Sequence, residues 1–263
     1  EDEDDDKNKS SRSKRHGRPG QTPPVFARSQ TLTRSVDEDD DNEDDDHDEV
    51  LWEALSELLT TLPKAFKSHW QRHFVQILHS LLPYLREGHP PSDHTMAIGI
   101  IAESLLHLGE AGAKMFPQVL PHALRCSAAE DPICRQNSVF CLGVLGHHGG
   151  DAAIAQMQSI LSALQPRLDE AEEEAVRDNA VGALARLAMA HTSSLPLEQI
   201  LPAITSRFPL KADAGENTPV LRCLMQASVN PACQALMGPL IPTLLSACGQ
   251  ALVTPPALPP APR

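Results

Sequence analysis

Val176-Arg177-Asp178-Asn179-Ala180-Val181 can be laid over Cys134-Arg135-Gln136-Asn137-Ser138-Val139 with a shift of 42 residues, and Ser138-Val139-Phe140-Cys141-Leu142-Gly143 over Ala97-Ile98-Gly99-Ile100-Ile101-Ala102 with a shift of 41. The two shifts agree, so a unit of about 40 residues recurs along the chain. A second series is independent of the first: Leu82-Pro83, Leu120-Pro121, Gln165-Pro166, Leu201-Pro202 and Ile241-Pro242 follow one another at spacings of 38, 45, 36 and 40. Proline inside a helix removes a hydrogen bond and bends it, so five prolines at one phase predict a recurrent bend.

The residues around these anchors keep helical spacing. Leu51, Leu55, Leu58, Leu59 and Leu62 form one stripe, and Ile154, Met157, Ile160, Leu161, Leu164 and Leu168 form another. Breakers stand between the helices at His89 to Asp93, Asp131-Pro132, Gly149-Gly150, Lys211 to Pro219 and Asn230-Pro231. Asp131 before Pro132 predicts a helix start with a capping carboxylate, and Gly149 a helix stop. About ten helices result. They pair as 71–110, 114–149, 153–191 and 196–229, with a lone second helix at 50–62 and a lone first helix at 232–252. Aromatic residues make up 3 % of the chain, which disfavours a β-sandwich or barrel. The predicted class is all-α, a superhelix of α-α units over 48–252.

Charge divides the chain unevenly. Of its formal charge of −13, residues 1–49 carry −9 and residues 50–263 only −4. Residues 1–47 hold too few apolar side chains to offset the chain entropy of folding and are expected to be disordered. They comprise the acidic block Glu1 to Asp6, the basic run Lys7 to Arg18, and the start of a second acidic run, Asp37 to Glu49. The basic run resembles a nuclear localisation signal or nucleic-acid arm, but flanking acids would neutralise it. Residues 253–263 are mostly proline and alanine and predict an extended tail. An acidic chain is a poor match for nucleic acid, and no window reads as apolar enough for a membrane span. A chain opening without Met inside an acidic run is expected to be part of something longer. Six Cys with no Cys-x-x-Cys pair read as buried structural thiols.

A unit of about 40 residues with proline in its first helix and Arg-x-Asn near the start of its second resembles the HEAT repeat. Three stretches resemble, more narrowly, the C-terminal region of receptors in the importin-β family of nuclear transport receptors: Asp48-Glu49-Val50-Leu51-Trp52-Glu53-Ala54-Leu55, Asp131-Pro132 through Val144 to Gly150, and Val176-Arg177-Asp178-Asn179 through Leu187. The resemblance covers about residues 48–229. It implies a receptor that wraps basic cargo such as core histones or ribosomal proteins and passes the pore on Phe-Gly nucleoporins. Such a receptor shuttles between cytoplasm and nucleus, and it releases cargo to Ran-GTP bound at an N-terminal arch absent from these residues. It implies no cofactor, no direct nucleic-acid partner and no membrane. It also makes Asp131, Arg135, Arg177 and Asp178 candidates for a ladder between repeats.

Candidate cargo contacts are the acids Asp37, Glu38, Asp39, Asp40, Asp41, Asp44, Asp45 and Asp46 of the tail and Asp169, Glu170, Glu172, Glu173 and Glu174 between two helices. The latter five read either as a solvated loop or as a site for basic cargo on the inner side of the superhelix. Catalytic and metal signatures are lacking. His69 and His73 stand at i, i+4, but Trp70 and Gln71 occupy the positions where a zincin needs its Glu, and no His-Glu dipeptide occurs. Gly146 to Gly150 is followed by no Gly-Lys-Ser/Thr, and no Gly-x-Ser-x-Gly elbow is present. Rival readings are a scaffold of a multiprotein complex and a helical-repeat DNA glycosylase. The latter would need a basic groove.

Overall fold

The computed structural model describes residues 43–253, with side chains for 54–250. Residues 1–42 and 254–263, where most of the expected disordered segment and the proline-rich tail fall, lie outside the described residues. Among the described residues all regular structure is helical. Helix α1 (Glu43–Phe66) is followed by α2 (Gln71–Leu81) and α3 (Pro91–Leu108), α4 (Phe116–Cys126) and α5 (Pro132–His148), α6 (Gly150–Ala155), α7 (Met157–Leu164) and α8 (Glu174–Ala190), then α9 (Leu197–Arg207), α10 (Asn217–Val229), α11 (Gln234–Met237) and α12 (Ile241–Val253). The second helices α1, α3, α5, α8 and α10 pack side by side in series, and the first helices lie against them.

The two kinds of helix have different chemistry because they have different neighbours. First helices such as α2 bury one stripe, Phe74, Leu78 and Leu81, and leave the rest to water. Second helices are packed on several sides at once, and Asn137 to Gly146 in α5 and Asp178 to Ala188 in α8 are buried without a break. Close approach of α5 to α8 depends on small residues. A Cβ on Gly143 would stand 2.7 Å from the Cα of Ala183, so any larger residue there would force the helices apart.

Several boundaries differ from the reading of the sequence. Helix α1 starts at Glu43, so residues 43–47 are helical and not part of a disordered segment. The prolines fall into three settings, with Pro242 at the second residue of α12. Pro121 and Pro202 lie inside α4 and α9, whereas Pro83 and Pro166 sit in 3-10 turns that prolong α2 and α7. Asp131 caps α5 as expected, accepting from the backbone N–H of Ile133 and Cys134. The left-handed residue after α5 is Gly150 (φ 53°), not Gly149 (φ −76°). Two helical runs, 91–126 and 231–250, are apolar enough for a membrane span, against the expectation that none would be. The first is interrupted at Gly109 and packs most of its apolar residues inside the fold. The second is divided among short helices and leaves Ile241 and Leu245 exposed.

The last second helix also presents an apolar edge. Leu221, Met225 and Val229 are exposed on α10 at i, i+4 and i+8, whereas forty residues earlier Val181 and Ala185 are buried.

Candidate functional site

At the N-terminal ends of the second helices, polar side chains step from one repeat to the next. The Thr95 hydroxyl donates to Asp131 Oδ2 at 2.7 Å, and Asn137 Nδ2 donates to the Thr95 carbonyl at 3.1 Å. One repeat on, Asn179 Nδ2 donates to Ala175 O (2.9 Å) and to Asp213 Oδ2 (3.1 Å), and Asp178 Oδ2 accepts from the backbone N–H of Ala212 and Asp213. Burial pushes the Asp178 carboxyl up to about 6, against the pull of the Ala212 N–H. A second set, missed in the sequence, recurs at the ends of first helices: Arg125 donates to the Leu85 carbonyl, and Arg207 donates to the Leu168 carbonyl at 2.8 Å, each bridging to the preceding unit. The signal was a period of its own, Arg86, Arg125, Arg167 and Arg207.

The five acids between α7 and α8 do not share one environment. Glu172 is inward. Its carboxylate accepts from Arg135 Nε and Nη2 (3.1 and 2.6 Å) and pairs with Arg167, and its side chain is only 6 % exposed. Burial alone would raise its pKa, but the Arg135 hydrogen bonds, the Glu173 N–H and the two guanidinium charges outweigh that and hold it below the usual range. Glu172 is therefore engaged within the protein and unsuited to be a free contact for cargo. Asp169 accepts from the Ala171 N–H, Glu170 is 89 % exposed and 3.7 Å from Arg207, and Glu173 and Glu174 are exposed. Arg177 Nη1 donates to the carbonyls of Glu170 and Glu172, as Arg135 Nη1 does to those of Ala129 and Glu130. Asp37, Glu38, Asp39, Asp40 and Asp41 lie outside the described residues; Asp44, Asp45 and Asp46 begin α1.

A separate concavity crosses all five second helices. It is a trough of about 540 Å³ lined from α1 by Thr60, Thr61 and Lys64, from α3 by Glu103 and His107, from α5 by Phe140, His147 and His148, from α8 by Arg186 and Met189, from the turn before α10 by Glu216, and from α10 by Arg222. Helices packed in a flat row at about 9 Å spacing would put α1 and α10 roughly 35 Å apart. Both line one trough, so the row curls. Its floor holds a buried ion pair: Arg186 and Glu216 meet through two hydrogen bonds, with the guanidinium 4.8 Å from the Phe140 ring centre. The His147 Nδ1–H donates to the Arg186 carbonyl at 2.8 Å. Gly182 makes room for the pair, since a Cβ there would lie 1.7 Å from Glu216 Oε2. Burial lowers the pKa of His107 and His148, helped by Lys64 and Lys67 at the former and by His147 at the latter.

None of the acids 169–174 lines the trough. They stand at the start of α8, while Arg186 and Met189 lie near its end, about 20 Å further along the axis. Reading the sequence did not single out the trough residues. The signals available were a lone Arg186 inside the apolar run Ala180 to Ala190 and Gly182 four residues before it.

No protein-family model matches the chain. Importin-4 of Homo sapiens is 36 % identical over 143 residues, which is 54 % of this chain and 13 % of that protein. Over that stretch the chain is homologous to importin-4. Importin-4 of Mus musculus is 33 % identical over 168 residues, 64 % of this chain and 16 % of that protein. A probable importin subunit beta-4 of Schizosaccharomyces pombe is 30 % identical over 114 residues, 43 % of this chain and 11 % of that protein. The chain thus spans about a seventh of the importin-4 relatives it matches. Among solved structures, Kap121p bound to Nup53p superposes with a TM-score of 0.58 at 18 % identity, covering 90 % of this chain and 22 % of that one. Kap121p bound to RanGTP gives 0.56 at 17 %, covering 79 % and 21 %. These likenesses carry the HEAT-type superhelical fold, and the importin-4 matches carry the family resemblance.

Proposed function

We propose that this chain is a non-enzymatic, cargo-binding part of a nuclear import receptor of importin-4 type, shuttling between cytoplasm and nucleus and holding basic proteins such as core histones or ribosomal proteins. The observation that carries the reading is the homology to importin-4 in two mammals. The formal charge of −13 supports a basic partner, and the exposed Asp169, Glu170, Glu173 and Glu174 offer it four carboxylates held at one helix start. The acids at 37–46 would draw such a partner in from a distance. On this reading Phe-Gly nucleoporins contact the receptor, and Ran-GTP acts through repeats outside these residues. The solved Kap121p complexes with RanGTP and with Nup53p support those kinds of partner for the fold.

A histone-tail peptide titrated against the full chain at about 50 and about 200 mM salt tests this proposal, because contacts between exposed charges weaken steeply as the screening length shortens. Affinity should fall at least several-fold between the two. Absence of binding at the lower salt, or binding indifferent to salt, would overturn a charge-read cargo. A scaffold would instead retain assembly subunits and ignore import cargo in a pull-down.

A further inference from the structure

We propose that the trough across α1, α3, α5, α8 and α10 is a second binding site, of opposite preference to the acidic loop, and that it takes an acidic peptide segment of a partner protein. The chain as a whole is strongly negative, yet the cations lining this one concavity outnumber the anions. Lys64 and Arg222 enter it from the two ends of the helix series, and neither makes an ion pair among the described residues. His107, His147 and His148 add three imidazoles between them. Of the two carboxylates, Glu216 is committed to Arg186, and Glu103 lies 3.8 Å from His107.

Helix ends account for part of this. Lys64, His107, His147 and His148 each stand in the last turn of their helix, where positive charge complements the dipole. That explains each residue singly. It does not explain why the same concavity receives Arg222 from the first half of α10, nor why Lys64 and Arg222 have no ion-pair partner among the described residues. Cations on α1, α8 and α10, with imidazoles on α3 and α5 between them, match an extended row of carboxylates better than one compact anion, and Leu106, Phe140, Val144 and Met189 give the trough apolar wall for side chains between the acids.

The imidazoles supply a signature that steering by the whole protein would lack. His107 faces Glu103, Lys64 and Lys67; His148 faces His147, Glu110 and Arg186; and burial holds both below the ordinary imidazole value. Carboxylates laid in the trough would favour the protonated rings, so binding should take up protons and tighten as pH falls from about 7.5 to about 6, where the acids of the peptide remain ionised.

The test is a fluorescence-anisotropy titration of the full chain with a dye-labelled peptide of about twelve residues, alternating Asp and Glu around a central Leu, beside a Lys counterpart. Parent protein should bind the acidic peptide, more tightly at the lower pH. The K64E/R222E variant changes two exposed residues, so helical content and Tm should hold, and affinity for the acidic peptide should drop roughly tenfold. H107Q should flatten the pH response and leave binding at pH 7.5 within about twofold. Unchanged affinity of K64E/R222E, or no binding by the parent, would overturn the proposal. Loss of the Lys peptide on neutralising Asp169, Glu170, Glu173 and Glu174 would bear only on the cargo reading, since those acids stand outside the trough.

Discussion

Gly182→Ala is the sharpest single perturbation of this fold, because an alanine on an interior helical position ordinarily stabilises. Replacing Gly by Ala inside a helix is worth about 1 kcal/mol in its favour. Here the added methyl would lie 1.7 Å from Glu216 Oε2 and 2.7 Å from its Cδ. The carboxylate must move. Glu216 is 4 % exposed and Arg186 7 %, so neither can simply turn into water, and the displaced pair leaves a buried guanidinium against Phe140. Breaking a buried pair on one side costs about 3–5 kcal/mol. The net loss should be about 2–4 kcal/mol, which for a domain of this size lowers Tm by roughly 4–16 °C. Thermal melts followed by circular dichroism would measure it. The double variant Glu216→Ala/Gly182→Ala distinguishes this mechanism from a general intolerance of the position: once the carboxylate is gone, the alanine should be neutral or slightly stabilising. A Gly182→Ala protein that melts at or above the parent temperature would refute the reasoning, as would equal losses in the two backgrounds.

Asp178 keeps its proton to about pH 6 in the folded chain, against an ordinary value of 3.8. The folded state therefore binds the extra proton between those values, and this group's contribution makes stability fall as pH rises from about 4 to about 6; Asp178→Asn should remove that part of the slope in urea midpoints measured across the range. Glu172 behaves oppositely. Its depressed pKa contributes stability above the ordinary carboxylate value that disappears as pH falls through the folded one, and Glu172→Gln, which strands Arg135 and Arg167, should cost about 1–3 kcal/mol in urea unfolding at pH 7. An equal midpoint for parent and Glu172→Gln at that pH would show the network to be incidental.

The repeat period was legible because two unrelated features, Arg-x-Asn at the second-helix starts and proline in the first helices, recur at similar spacing. The capping role of Asp131 followed from local chemistry alone, since the N-cap carboxylate and its Pro132 neighbour act within one turn. What could not be read were consequences of packing between repeats. Glu172 looks like its neighbours in the sequence, and the position of Arg135, 37 residues earlier, together with Arg167 makes it an inward-facing acid. The trough likewise depends on how far the helix row curls, which brings Lys64 and Arg222 to one concavity across more than 150 residues. Proline posed a subtler difficulty. The same residue at the same phase either stays inside an α-helix, as at Pro121, or sits in a 3-10 extension, as at Pro83, and the choice lies in the surrounding contacts rather than in the dipeptide.

The cargo-binding account rests on carboxylates fixed at the start of α8 holding a partner that the acidic tail only attracts. Stopped-flow dissociation of a basic histone-tail peptide from the D169N/E170Q/E173Q/E174Q variant, set beside the parent and a chain lacking residues 1–42, examines that directly. Fixed contacts act on residence and long-range charge acts on encounter. The loop variant should therefore release the peptide several-fold faster at an unchanged helical content, whereas the shortened chain should associate more slowly and release at the parental rate. Parental dissociation from the loop variant, together with loss of all binding on removal of residues 1–42, would contradict the account and leave the helical superhelix as a carrier for an acidic tail.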